Sequence, residues 1–393
     1  MTANPKVSIL VPDISSNIVW AATALARALE DRFEVQVVGS DLGGGVCEMY
    51  RDAFSYTVVS TPRLYRYPDF LWERRKIERA VSGDVVIAVK AYMNTVPLAL
   101  RLKRKRGVKT LVYLDEWDSA NFRALPWRER FKRRLQDLHH PLEDCYFPHV
   151  ERMIPHADGV ICTSSFLSKR FTGSIVPIGV DTDFYAPRNP SETSELKRSL
   201  GMGEDRLIVF GGVARPHKGV EELLEALAKL GDESVRLLVV GPQTDFLREL
   251  QRVDRYAPYI VCIGAKPKNE MPRYLALGEL VVLPQKNTLL AQSQVPCKVF
   301  EAMAMAKPII ASDVSDLSDI LSGCGWIVPP DDIPALAKTI AHVLAHPNEG
   351  EESGRRAREK CIREYDRHAT SEKLVKLIET STEEGIKPRI DAN

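Results

Sequence analysis

The sequence lacks any long apolar run. No 18-residue apolar span occurs, and the opening MTANPKVSILVPD has no basic flank leading into an apolar stretch. That reads as a chain without a signal peptide or membrane span, so any membrane contact is expected to be peripheral. Paired cysteines are also missing. Cys47, Cys145, Cys162, Cys262, Cys297, Cys324 and Cys361 are scattered without a CxxC. Zinc knuckles and disulfide frameworks are set aside, and free thiols fit a reducing cytoplasm. Net charge is nearly absent at +1, so no global field recruits nucleic acid, and no recognition motif is visible. Nor is there a dense Asp/His cluster for a metal. His139 and His140 are adjacent, and neighbours on a helix point different ways, so no metal is expected. The first strand signal runs into ILVPDISSN, which has none of the dinucleotide-fingerprint glycines, while GSDLGGG at 39–45 follows the second strand. A nicotinamide oxidoreductase is therefore disfavoured.

What is present is ordinary soluble composition, 44% hydrophobic and 27% charged, over 393 residues. That length points to two domains. Residues 1–190 carry 27 Lys/Arg against 22 Asp/Glu, and residues 191–393 carry 27 against 31.

The first half alternates short β-branched runs with helical stretches. KVSILVP (6–12), FEVQVVG (33–39), DVVIAVK (84–90), TLVYLD (110–115), GVICTS (159–164) and SIVPIGV (174–180) read as strands. An amphipathic helix is predicted over 17–31, capped by Ser15, Ser16 or Asn17. The second half restarts the pattern with RLIVFGG (206–212), VRLLVVG (235–241), YIVCIG (259–264), ELVVLP (279–284) and KPIIAS (307–312). The polar, proline-bearing 185–197 reads as a linker, and the tail beyond about 380 reads as unpacked. The fold expected is α/β: two Rossmann-like, doubly wound domains, 1–185 and 198–380, facing across a cleft, with the last helix crossing back to the first. Ligands in such sheets sit at the carboxyl ends of the strands.

Two stretches carry the chemistry. GGVARPHKGVEELLEA (211–226) joins a strand to a helix. Gly211 and Gly212 allow backbone to approach a ligand, Arg215 and Lys218 bring positive charge, and the helix start is an anion site. A surface turn with solvated cations is the equal alternative. AQSQVPCKVFEAMAMAKP (291–308) sets Lys298 and Glu301 at the start of a short helix. A carboxylate there can accept hydrogen bonds from vicinal ribose hydroxyls, or simply favour the positive helix end. Together the two stretches can hold both ends of a nucleoside diphosphate.

These residues resemble the retaining glycosyltransferases of family 4, with GT-B architecture. The likeness covers nearly the whole chain and rests on FGGVARPHKG, VPCKVFEAMAMAKPIIAS and the junction IVPIGVDTDFYAP. It implies transfer of a sugar, a hexose by preference, from a UDP- or GDP-linked donor to an acceptor hydroxyl in glycan, glycolipid or specialised-metabolite synthesis, with no metal required. It implies a donor held by Gly212, Arg215, Lys218, Ser293, Val295, Lys298, Val299 and Glu301. It implies an acceptor bound in the first domain near Asn17, Glu116, Trp117 and Asp118. Arg215, Lys218 and Asp118 are the residues expected to take part in catalysis. The chain departs from the family pattern in four places. The first glutamate of the Glu-x7-Glu motif falls on Ser293. Arg215 stands only three residues before Lys218. Ile178 replaces the junction asparagine. Trp117 in LVYLDEWDS stands where relatives carry a histidine. An indole cannot relay a proton but can stack on a sugar.

Three segments are rich in cations: 71–80, 101–109 and WRERFKRRLQ at 127–136. The last spaces Trp127, Phe131 and Leu135 by four. That edge either rests on an anionic bilayer or packs on its own domain. The partners expected are a nucleotide sugar, a glycan, lipid-linked or small-molecule acceptor, and a membrane face touched from the cytoplasm. Two rivals remain: a nucleotide-sugar-binding module with little catalysis, and an epimerase or hydrolase on the same frame.

Overall fold

The structure is a computed structural model and describes residues 5–383. The chain divides into two compact units. One takes the chain up to Gly179 and again from Thr370; the other is Val180–Ala369.

The first unit holds seven strands: β1 Lys6–Val11, β2 Glu34–Asp41, β3 Tyr56–Ser60, β4 Val85–Val89, β5 Lys109–Leu114, β6 Gly159–Cys162 and β7 Ser174–Ile175. They form one sheet in the order β3-β2-β1-β4-β5-β6-β7, and every pair is parallel. Ile9 lies between Val37 and Ile87 in register. Central strands such as β4, buried along its whole length, are apolar on both faces because helices cover both. The helix Val19–Leu29 buries Val19, Ala22, Leu25, Ala26 and Leu29, a stripe at spacings of three and four. Its N-cap is Ile18, with no side-chain cap bond. The predicted cap is replaced by a weak contact, Ser16 Oγ accepting from the Ile18 N–H at 3.4 Å.

The C-terminal helix Arg367–Glu383 sends Leu374, Val375 and Ile378 into the same core as Val7, Ile9, Leu25 and Leu29. The tail beyond Glu383 lies outside the described residues.

The second unit holds β8 Arg206–Gly211, β9 Val235–Val240, β10 Ile260–Cys262, β11 Val281–Leu283, β12 Ile309–Ser312 and β13 Trp326–Val328. Two parallel three-stranded runs, β10-β9-β8 and β11-β12-β13, meet through a bridge between Ile208 and Leu280. Alternation along β8 divides the core. Leu207 and Val209 face Val299, Phe300 and Met303, while Ile208 and Phe210 face Val220, Leu223 and Leu227. Each unit is thus a doubly wound, Rossmann-like α/β fold with a parallel sheet.

Residues 185–197 are not an open linker. Pro190–Ser199 is a helix whose start is capped by Asn189, its Oδ1 accepting from the Ser191 N–H at 3.0 Å. The strand expected over 174–180 is cut to Ser174–Ile175, since Pro177 follows and cannot donate to a ladder.

Because Leu374 and Ile378 are each 1% exposed, trimming either to Ala should cost about 2–5 kcal/mol of stability. Urea unfolding followed by circular dichroism measures this. Glu372→Ala, on the exposed side of the same helix, should change stability by less than about 0.5 kcal/mol.

Candidate functional site

In the second unit the chain reverses its progress across the sheet between β8 and β11. The loops after these two strands therefore open a crevice at their carboxyl ends. The loop after β8 begins with Gly212 at φ 105°. A Cβ there would lie 3.0 Å from Lys298 Nζ. Glycine at this position thus lets an ammonium group reach the backbone of the turn. The Gly212 N–H donates to the Val240 carbonyl at 2.8 Å. Gly219, at φ 72°, packs so tightly that a Cβ would fall 1.7 Å from the Pro284 carbonyl oxygen. The loops after β8 and β11 are locked backbone to backbone, and the Lys286 N–H adds a bond to the His217 carbonyl at 3.0 Å.

Lys218 folds over the same turn, Nζ donating to the Val213 carbonyl at 2.9 Å. Arg215 is exposed. Lys298 and Glu301 lie on the helix Cys297–Ala304, and both line a cavity with Gly211, Val281 and Ala302. Tyr185 donates its hydroxyl to Glu301 Oε1 at 3.4 Å. Arg358 ties Tyr185 to that helix, donating to the Tyr185 carbonyl at 3.2 Å and to the Ala304 carbonyl.

The structure thus gathers Gly212, Lys218, Lys298 and Glu301 onto neighbouring loops and one helix. It separates Val299, which is fully buried in the core, so only its backbone can face a ligand. Val295 is half-buried and packs against that same core. Ser293 is also fully buried, with its hydroxyl donating to the Leu290 carbonyl at 2.8 Å. Its side chain is turned into its own short helix, Leu289–Ser293, and does not take the place of a ligand-reading glutamate.

In the first unit the corresponding reversal is between β1 and β4. Lys90 follows β4 in a left-handed conformation, φ 64°, and is almost fully buried. Its Nζ lies 2.9 Å from Asp115 Oδ1, 2.7 Å from Glu116 Oε1 and 3.3 Å from Asp118 Oδ1. All three carboxylates follow β5. Burial opposes the lysine's charge, but the three carboxylates outweigh it and hold its pKa well above the usual lysine range. Burial raises Asp118 to about 6, against the pull of Lys90 and with a push from Glu116. Asp118 Oδ2 also accepts from the Ala91 N–H at 3.0 Å. Glu116, with its side chain 33% exposed, is the carboxylate of the three that reaches furthest toward solvent.

Asn94, four residues after Lys90, is buried. Its Nδ2 donates to the Pro12 carbonyl at 2.6 Å and to Ser40 Oγ at 3.1 Å. Its Oδ1 meets no partner among the described residues. Asn17 is exposed.

Trp117 is corrected by its surroundings. It is 6% exposed, its indole N–H donates to Glu151 Oε1 at 2.8 Å, and the Arg170 guanidinium covers its ring at 3.8 Å. No open face is left for a sugar, so the indole acts as core packing and as a clamp on Glu151. Among the described residues no group of three or more His, Cys, Asp or Glu is set to hold a metal.

Sequence reasoning missed Lys90, Asn94 and Tyr185. Lys90 closes a predicted strand as a lone cation, and its partners lie 25 or more positions away. Only the ladder between β4 and β5 brings them together.

Comparison with known proteins places this geometry. Residues 18–184 match Glycosyltransferase Family 4, and residues 204–346 match Glycosyl transferases group 1. The alpha-D-kanosaminyltransferase of Streptomyces kanamyceticus is 25% identical over 46% of this chain and 47% of its own length. The chain spans about half the length of such curated relatives. A GDP-mannose-dependent phosphatidylinositol monomannoside mannosyltransferase of Mycobacterium tuberculosis is 23% identical over 74% of this chain and 75% of its own. Among solved structures, the sucrose-phosphate synthase of Thermosynechococcus elongatus superposes with a TM-score of 0.75 at 17% identity, covering 96% of this chain and 99% of that one. HepE of Anabaena, solved with UDP and glucose, gives 0.75 at 17%, covering 96% and 100%.

The Lys90 cluster makes two expectations. Lys90→Met leaves the largely buried Asp115 and Asp118, and the partly exposed Glu116, without their cation and should destabilise the protein by about 3–5 kcal/mol. For Asp118 the folded pKa lies above the unfolded value, so the folded state binds more protons between about pH 4 and pH 6. Its contribution to stability is present below that window and lost as pH rises through it. Replacing it in Asp118→Asn should flatten this loss, by on the order of 2 kcal/mol between pH 4 and 6.5. Urea titrations of both proteins at the two pH values read the difference.

Proposed function

We propose, from the homology of this GT-B chain to the family 4 glycosyltransferases, that it moves a hexose from a UDP- or GDP-linked donor to an acceptor hydroxyl with retention at the anomeric carbon. The observation that carries the reading is the approach of Lys298 Nζ to the Gly212 turn, with Lys218 on the same turn and Glu301 one helical turn beyond Lys298. Two ammonium groups at one turn support the reading of a diphosphate site. The Glu301 carboxylate, lining the same cavity as Lys298, is suited to the vicinal hydroxyls of a ribose.

The chemistry follows from charge. Breaking the sugar–phosphate bond leaves a diphosphate that gains negative charge as it departs. Lys218 and Lys298, fixed before reaction, stabilise that charge more in the transition state than in the ground state. Arg215, exposed at the start of the turn, folds onto the diphosphate once it is bound. In a retaining transfer the departing phosphate takes the acceptor's proton, so Trp117 in place of a histidine does not stop the reaction. On the acceptor side, Glu116, the most exposed of the three carboxylates, is the group suited to a sugar or alcohol hydroxyl. Asp118, held by Lys90 and Ala91, positions Glu116 rather than touching substrate. The buried Ser293 and covered Trp117 favour one rival, a module that binds the nucleotide sugar with little turnover.

Calorimetric titration with UDP, GDP, ADP and dTDP should show one diphosphate binding tightly. Lys298→Ala and Lys218→Ala should each weaken it. Glu301→Gln should weaken the nucleotide but not inorganic pyrophosphate, which has no ribose. Binding of none of the four to folded protein would sink the reading. With an acceptor in hand, Lys218→Ala should lower kcat/KM by roughly a hundredfold, and EDTA should leave the rate unchanged. Proton NMR of the first product formed should show the donor's own anomeric configuration. Donor consumed without acceptor would identify a hydrolase or epimerase instead, and tight binding without turnover would identify the binding module.

A further inference from the structure

We infer that the first unit docks on an anionic lipid bilayer through the helix Trp127–Gln136 and the neighbouring start of the helix Phe70–Ala80. The inference is independent of the transferase reading. The sequence leaves two uses for the Trp127, Phe131 and Leu135 edge, and the structure removes one of them. No residue of the helix Trp127–Gln136 is buried. Trp127 is 67% exposed, Phe131 60% and Leu135 62%, and Leu138 just beyond is 57% exposed. The helix is turned inside out relative to a surface helix. Its charged side holds it to the protein: Arg133 pairs with Asp144 at 2.6 Å, and the Arg134 guanidinium lies over the buried Phe122 ring. Its apolar edge faces outward.

A second apolar group adjoins it. Tyr65, Leu71 and Trp72 are exposed, Trp72 by 60%. The segment that carries them is bonded to the segment following the first helix. The Tyr67 N–H donates to the His139 carbonyl at 2.8 Å, and His140 Nδ1 meets the Tyr65 carbonyl at 3.3 Å. Two aromatic groups distant in sequence therefore share one side of the unit. Cations surround them. Arg128 stacks on Trp127 and Arg75 on Trp72 at 4.6 Å, while Arg63, Arg66, Lys76 and Lys132 are exposed.

The occupant is read from that chemistry. Tryptophan with cations at its rim suits the headgroup level of a bilayer, where the ring enters the apolar boundary and the guanidinium meets phosphate. Anionic lipid complements the basic rim. The patch does not match nucleic acid, which would meet solvated cations rather than protruding leucine and phenylalanine.

The test is sedimentation of the full chain with phosphatidylcholine vesicles, with and without phosphatidylglycerol. Binding is expected only with the anionic lipid, and it should weaken as salt rises. Trp127→Ala/Phe131→Ala/Leu135→Ala should lower the partition coefficient at least about tenfold. Arg128→Glu and Lys132→Glu should each lower it by about fivefold or more. These side chains are exposed, so the variants should keep the wild-type circular dichroism and melting profile. No binding to anionic vesicles at low salt would overturn the inference, as would unchanged binding by the triple variant. So would a dimer in analytical ultracentrifugation that the triple variant dissolves while vesicle binding is absent, since the face would then meet a second copy.

Discussion

The second unit depends on backbone meeting backbone at the carboxyl edge of its sheet. A Cβ on Gly241 would fall 2.1 Å from the Gly212 carbonyl oxygen, and one on Gly219 would fall 1.7 Å from that of Pro284. No side chain can relieve such contacts, because both partners are main chain. Loops from β8, β9 and β11 are held at separations that any larger residue would force apart. Their consequence is positional. Lys298 arrives on a helix that follows β11, and Lys218 arrives on the turn that follows β8. Both reach the same few ångströms of backbone only because the glycines bring those loops together. Electrostatic catalysis depends on charges fixed before the reaction begins, and in the transfer proposed above close packing of main chain would do the fixing.

The first unit solves a similar problem with charge. Three carboxylates after β5 would repel one another and resist burial. Lys90 offsets this from a left-handed backbone position. The Thr95 hydroxyl donates to the Lys90 carbonyl at 2.7 Å and helps hold that turn. One cation facing three carboxylates is not neutral, and the proton that Asp118 retains up to about pH 6 removes part of the excess negative charge. The same bonds leave Glu116 the most exposed of the three. A cluster that looks like a set of candidate acids and bases in sequence is, in the fold, chiefly a support for one of them.

How much of this was legible depended on range. The buried strands could be read directly, since short β-branched runs such as VVIAV and RLIVFG between helical stretches are the pattern of a covered parallel sheet. The half-exposed edge strand β3, YTVVS, and the three-residue β13 were missed because edges carry weaker patterns. Asn189–Pro190 looked like linker punctuation, yet proline at the first helical position starts a helix as well as it ends one. The FGGVARPHKG and CKVFEAMA stretches pointed to an anion and a ribose through local chemistry alone. Trp117 and Ser293 were misjudged because the covering group, Arg170 in one case and the core in the other, cannot be seen in one dimension. Lys90 needed the β4–β5 register before it meant anything.

Charge shows the same dependence on range. A net charge of +1 argued against any attraction to a polyanion, and as a statement about the far field it holds. A surface, however, responds to what lies within a Debye length, roughly 8–10 Å in ordinary salt. Within that distance Arg128 lies on Trp127 and Arg75 on Trp72, and the stretches 63–66, 74–76 and 128–134 are rich in cations. Only Glu129 opposes them within the helix Trp127–Gln136. The acidic excess that cancels them lies in residues 191–393. Apolar side chains left this exposed would ordinarily be a liability. The cations around them discourage the association of one copy with another, because like-charged rims would meet, and the same cations favour a negatively charged partner. Exposure and charge therefore explain each other on this face better than either does alone.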